Sequence, residues 1–308
     1  MKEKSLLFHL EKALGGFIFE FFMALMRFLP FGFFRIVVKL GMKGYYLISW
    51  KLRRNAIESL TIAYGDKLSL AEKKRISRLS FLNLSKGLGE YAYAFEHPVI
   101  CDHCFTLTGQ EHLDHAIQHG KGAIIAIAHI GPFAAMLLHF VRLGFKTNVV
   151  MRPPRNPGIR EKISHGRERV DLNVIYTSPL KSCVVECYRA LERNELLAMP
   201  IDQNYGGAGR VFVNFFGRLA ATAPGAIGYA VKLGSPVLFA YALPAQKERF
   251  HIMVEPPLAI IPKATDRETL VYNTGVLTAR LERLIREHPE HWSWMHRRWK
   301  AVPRAGEI

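Results

Sequence analysis

Beyond about residue 105 the chain repeats one theme: a short, nearly unbroken apolar run, then a stretch whose apolar residues recur at helical spacing. "FTLTG" (105–109), "GAIIAIAH" (122–129), "TNVVM" (147–151), "LNVIY" (172–176), "ELLAMPID" (195–202), "PVLFAYAL" (236–243) and "FHIMVE" (250–255) read as strands. Continuously apolar runs of this length suit strands buried on both faces. Between them, "HLDHAIQHG", "PFAAMLLHFVRLG", "SCVVECYRALERN" and "PGAIGYAVKLG" read as helices, and "RETLVYNTGVLTARLERLIREHP" as a closing one. Gly120 stops the first of these, and Pro224 opens the fourth. Strands alternating with helices imply an α/β fold, with a mixed, mostly parallel central sheet flanked by helices.

The first 50 residues do not follow this theme. "GGFIFEFFMALMRFLPFGFFRIVVKLG" (15–41) is apolar and aromatic, but Glu20 and Arg27 interrupt it and Pro30 breaks it. A clean span needs about 20 apolar residues. The expectation is therefore a membrane-associated helical segment, embedded or interfacial, over residues 1–50. An ordinary buried helix pair is the alternative. No small-x-small cleavage site follows the run. Residues 51–98 form a helical lead-in to an α/β domain that runs to residue 308. Ser69 and Glu72 have capping-box spacing, Leu79, Leu82, Leu84 and Leu88 supply an apolar face, and Pro98 closes the helix.

Lys and Arg number 42 against 26 Asp and Glu, a formal charge of +16. Such an excess seeks nucleic acid, anionic lipid head groups or an acidic protein. The hydrophobic N-terminus argues against nucleic acid. Four cysteines, Cys101, Cys104, Cys183 and Cys187, fit a reducing compartment. They could form a zinc site, but a cysteine pair four apart on a helix reads first as buried packing.

Sites in open α/β sheets gather at the C-terminal ends of strands. His129 ends such a run, and Gly131 lies in the turn "IGPF" that leads into a helix N-terminus. A histidine there can take the proton of a hydroxyl, which acyl transfer to an alcohol requires, along with donors for the oxyanion. Asp202 ends another run, followed by "QNYGGAG" and an aromatic hairpin, Val211–Phe216, that contains Phe215. "MRPPRNPGIREKISHGRERV" is rich in arginine, including Arg152, Arg167 and Arg169. "HWSWMHRRWK" closes the chain. "GGAG" is not a phosphate-binding P-loop, since no Lys-Ser/Thr follows it. No metal and no cofactor are expected.

Taken in order, "RRNAIESL", the His129 strand end, "RNP" (155–157), "RER" (167–169), "IDQNYG", "VFVNFFG" with Ala221-Thr222, and "HWSWMHRRWK" resemble the bacterial lipid A late acyltransferases, the lauroyl and myristoyl transferases, within the lysophospholipid acyltransferase superfamily. The resemblance covers nearly the whole chain. It implies acyl transfer from an acyl carrier protein or acyl-coenzyme A thioester to a hydroxyl of an anionic membrane glycolipid. It also implies placement at the cytoplasmic face of a bacterial inner membrane. A lipid A precursor, a mannosylated phosphoinositide and other bacterial lipids stay open as acceptors. His129 is then the general base. Arg152, Arg167, Arg169, Asp202, Gly131 and Phe215 are grouped as substrate-binding residues. The hairpin would line an acyl groove or the membrane face, unless it is plain core. Asp202 would position an arginine or the acceptor, unless it is a loop cap. Trp292, Trp294 and Trp299, with Arg297 and Arg298, look like an interfacial belt, with aromatic–cation pairing inside the fold as the alternative.

One departure stands out. The family motif places Asp or Glu five residues after the histidine, and this chain has Ala134 there, with no carboxylate between Asp114 and Glu161. An imidazole deprived of its acid loses tautomer control, so an impaired enzyme is expected. It would be either an engineered Glu→Ala or Asp→Ala trap or a natural non-catalytic lipid-binding member. The preserved frame around Ala134 favours the first.

Overall fold

The computed structural model describes residues 28–97, 104–154, 170–245 and 249–304. Three helices lead in: α1 (Phe31–Ile48), α2 (Trp50–Tyr64) and α3 (Leu70–Glu96). Pro30 stands at the N-terminal boundary of α1, where a missing N–H costs nothing. The capping box at Ser69 forms as the spacing implies: its hydroxyl accepts from the Glu72 N–H while Glu72 accepts from the Ser69 N–H at 2.8 Å. Helix α3 ends at Glu96, with Pro98 outside the described residues.

The α/β part follows as β1 (Phe105–Thr108), α4 (Gln110–Gln118), β2 (Ala123–Ile127), α5 (Phe133–Arg142), β3 (Thr147–Met151), β4 (Leu172–Tyr176), α6 (Leu180–Glu192), β5 (Leu196–Pro200), β6 (Val211–Phe215), β7 (Arg218–Thr222), α7 (Gly225–Leu233), β8 (Val237–Pro244), β9 (Phe250–Val254) and α8 (Asp266–Glu287). Seven strands form one sheet in the order β1-β9-β8-β2-β5-β3-β4. Every neighbouring pair is parallel except β8 with β9. The expected mixed, mostly parallel sheet is thus found. Strands β6 and β7 form a separate antiparallel hairpin.

Strand β2 explains the architecture. All five of its residues are buried. Ile124 and Ala126 pack into one core cluster while Ala123, Ile125 and Ile127 pack into the other, as a period of two demands of a strand covered on both faces. The first cluster also takes in Ala56, Leu60 and Ile76 of the lead-in helices, which pack against the chain's C-terminal segment. There Asn55 donates to the Met295 carbonyl, Ser59 to that of His296 and Asn83 to that of Glu290.

Among the described residues no helix is long and apolar enough to cross a membrane. The stretch 1–27, which carries most of the expected membrane segment, lies outside them. Helix α1 leaves Phe33, Ile36, Leu40, Leu47 and Ile48 exposed. Cys183 and Cys187 are buried one turn apart on α6 in the first core cluster, and Cys104 packs against the second. The sheet therefore separates them, and a site joining these three does not assemble; Cys101 lies outside the described residues.

Candidate active site

Register brings two strand ends together. Ile127 of β2 pairs with Pro200 of β5, and the Ile201 N–H donates to the Ile127 carbonyl at 2.9 Å. Two residues further along each strand stand His129 and Asp202, side by side. Asp202 is fully buried. Its Oδ1 accepts from His129 Nδ1 at 2.9 Å, and its Oδ2 from the His129 backbone N–H at 3.0 Å and the Trp292 indole N–H at 2.9 Å. Burial alone raises a carboxyl, but the facing imidazolium and these N–H bonds win, holding Asp202 well below the usual carboxylate range. Burial likewise pulls the His129 imidazolium down, and the Asp202 charge and hydrogen bond overcome it, leaving His129 above its ordinary value.

The His129 ring keeps 23% of its side-chain surface exposed. With Nδ1–H given to Asp202, the neutral ring presents Nε2 as an acceptor, and the Gln203 amide nitrogen sits 3.0 Å from it. Phe133 covers the imidazole at 4.7 Å between ring centroids, and the His296 ring lies 6.1 Å away. Burial holds His296 below its ordinary value, and its Nε2 has no hydrogen-bond partner among the described residues.

The turn after His129 is rigid for definable reasons. Gly131 adopts φ +52°, and a Cβ there would collide with the Ala242 carbonyl oxygen. Its N–H donates to the His291 carbonyl at 3.0 Å, Ser293 donates to the His129 carbonyl at 3.0 Å, and Ile130 bridges to Trp292. The C-terminal segment thus lies along the turn and delivers the Trp292 indole to Asp202. Helix α3 crosses just above: a Cβ on Gly87 would stand 2.8 Å from the Pro132 Cα. Alongside α3 runs a groove of about 570 Å³, walled by Phe34, Ile36, Val38, Leu79 and Leu82 and by the charged Arg35, Lys39, Lys86 and Glu90.

Several expectations are corrected by this geometry. Ala134 lies buried in the first turn of α5 and supplies no charge, yet the imidazole does not lack an acid, because Asp202 reaches it from the neighbouring strand. Asp202 holds His129 rather than an arginine or a loop cap. Phe215 is fully buried, stacked on Trp299 at 5.5 Å and covered by the Arg298 guanidinium, so it lines no groove. Trp292, Trp294, Trp299 and Arg298 are buried too, which replaces the interfacial belt with aromatic–cation packing inside the fold. The Arg298 guanidinium, lowered to about 10 by burial, donates to the Ala221 carbonyl and Thr222 hydroxyl, both at 2.6 Å. Gly131 has its N–H engaged, so it shapes the turn instead of offering a free donor. Arg152 is exposed just beyond the end of β3, at the same edge of the sheet as His129. Arg167 and Arg169 lie outside the described residues. Gln203 and His296 carry no spacing signal of their own; adjacency to a strand-end acid was the only hint of the first.

The chain is similar to proteins of known function. The Escherichia coli (strain K12) lipid A biosynthesis lauroyltransferase is 25% identical over 242 residues, 77% of this chain and 76% of that protein. A solved structure of the 1-acyl-sn-glycerophosphate (LPA) acyltransferase from Thermotoga maritima aligns with 81% of this chain and 97% of its own, at 15% identity and a TM-score of 0.37. The family described as bacterial lipid A biosynthesis acyltransferase matches residues 1–301. With the match running over nearly its whole length, the chain belongs to the bacterial lipid A biosynthesis acyltransferase family.

Proposed function

We propose that this protein transfers a fatty acyl group from an acyl thioester to a hydroxyl of an anionic membrane glycolipid of the lipid A type, with His129 as general base and Asp202 as its orienting acid. The observation that carries the reading is the 2.9 Å bond between His129 Nδ1 and Asp202, which leaves Nε2 as the acceptor of a ring that is partly exposed. Asp202 fixes the tautomer and stabilises the imidazolium once it forms, the role a buried carboxylate has in a hydrolase triad. An arriving hydroxyl displaces the Gln203 amide from Nε2 and gives its proton to that nitrogen. The oxygen attacks the thioester carbonyl; the C–S bond then breaks, and the leaving thiolate takes the proton back from the imidazolium.

The groove beside α3 offers apolar walls for an acyl chain, with Arg35, Lys39, Lys86 and Glu90 among its lining. The donor is an acyl carrier protein or coenzyme A thioester. An acidic carrier would be steered by the +16 charge, and anionic lipid would be attracted by it. The exposed apolar residues of α1, beside Lys39 and Lys43, support work at a membrane surface, here the cytoplasmic face of the inner membrane.

The test is a transfer assay with both donors on a lipid A precursor, comparing the unaltered protein with His129→Asn and Asp202→Asn. Turnover by the unaltered chain, lost in His129→Asn, is the expected result. An unaltered chain that binds lipid but turns over neither donor would favour the non-catalytic alternative.

A further inference from the structure

Helices α2 and α3 enclose a second groove, of about 610 Å³, on the lead-in helices and lined by none of the residues that contact His129. Arg53 and Arg54 come from α2, and Lys74, Arg75 and Arg78 from α3; Tyr46 and Ile57 line it as well, and no carboxylate does. Lys74 and Arg78 are four residues apart and Arg75 and Arg78 three, so all three cations share one helical face. Like charges at that spacing oppose the helix. Arg54 is paired with Glu58 at 2.8 Å, whereas among the described residues neither Lys74 nor Arg78 is paired with a carboxylate. Arg53 is held over the Tyr46 ring at 5.6 Å, which aims one guanidinium along the wall.

The groove does not end at the charges. Tyr46 and Arg78 also line an adjoining trench of about 400 Å³, whose other walls are Lys43, Leu47, Leu79 and Leu82, the last two shared with the groove beside α3. A cationic pocket that opens into an apolar trench matches an amphiphile: a phosphate at one end and hydrocarbon along the other. A docked acidic protein would have no use for the trench, and nucleic acid would have nothing to place in it. We propose that this composite groove binds an anionic lipid, its head-group phosphate held by Lys74, Arg75 and Arg78 with Arg53, and a chain lying along Leu47, Leu79 and Leu82. Arginine and lysine together suit a phosphate, the one by forked donors and the other as a point charge. The inference does not depend on acyl transfer, since lipid binding is read without turnover.

The experiment uses the full chain in detergent, titrated with phosphatidylglycerol or phosphatidylcholine and read by native mass spectrometry. Lys74→Gln/Arg75→Gln/Arg78→Gln removes three exposed charges with a good helix former, so thermal unfolding should not move downward. Lys181→Gln/Arg218→Gln/Lys232→Gln removes the same charge from exposed positions elsewhere. The expected result is preference for phosphatidylglycerol, a loss of about tenfold or more in the α3 variant, and little change in the control. Glycerol 3-phosphate at equal concentration should leave the lipid bound, because it cannot fill the trench. Equal losses in both variants, or full retention in the α3 variant, overturn the proposal. So does displacement by glycerol 3-phosphate, and so does an α3 variant that keeps the lipid while losing acyl carrier protein.

Discussion

The Nδ1 of His129 and the Oδ1 of Asp202 stand 2.9 Å apart although 73 residues separate them in the chain. The pair exists because β2 and β5 are parallel neighbours in register, each continuing two residues past its last paired position. Asp202→Asn keeps the shape but removes the charge that fixes the tautomer. The turnover number should fall by about 10²- to 10⁴-fold with little change in KM, the range set by comparable triads. Steady-state kinetics check this, and near-normal turnover would remove Asp202 from the mechanism.

The pH dependence has a definite sign. His129 must be neutral to accept a proton, and Asp202 keeps its pKa above the ordinary value. The rate should therefore rise with pH through an apparent pKa above about 6.5. In Asp202→Asn the opposing charge is gone while burial remains, so the residual activity should titrate at lower pH. A pH–rate profile of both proteins decides this.

Stability follows the same pair by linkage. A raised His129 contributes stability below its unfolded value that is lost as pH climbs through the folded one; a depressed Asp202 contributes above its unfolded value and loses it in acid. Both contributions are complete between about pH 4 and 6.5. The excess stability over His129→Gln, read from urea unfolding, should be largest in that window and shrink above it. A pH-independent difference would contradict the ion-pair description.

Position 134 offers a fourth test. With Asp202 already on the imidazole, Ala134→Glu should leave turnover within about threefold of the unaltered protein, a barrier change below about 0.7 kcal/mol. A gain of two orders of magnitude would show that Asp202 does not replace the acid of the family motif.

Gly131 is the most constrained residue of the turn. Gly131→Ala should destabilise the fold by about 2 kcal/mol or more, from the positive φ and the collision with the Ala242 carbonyl. It should also lower turnover, because the turn carries His129. Urea unfolding and the transfer assay read the two effects separately.

Much of this molecule was legible in the one-dimensional pattern. The unbroken apolar run of β2, the helical spacing of α5 and α8 and the Ser69–Glu72 cap are local properties, set by burial period and by hydrogen bonds within a few residues. They yielded the α/β class and put His129 at a strand end. The partner of His129 was not legible, because the position five residues on in the chain holds only Ala134. Which strand lies beside β2 is decided by long-range packing, and that choice alone brings Asp202 within reach. The closing tryptophans misled for a related reason: basic neighbours suggested a surface, whereas the fold folds Trp292 inward to donate to a buried carboxylate. Sequence thus determined the elements and the strand-end place of His129, through interactions of short range. The carboxylate partner of His129, the clamp on the turn and the cationic groove were decided by tertiary structure, because each joins residues that only the packing of distant elements makes adjacent.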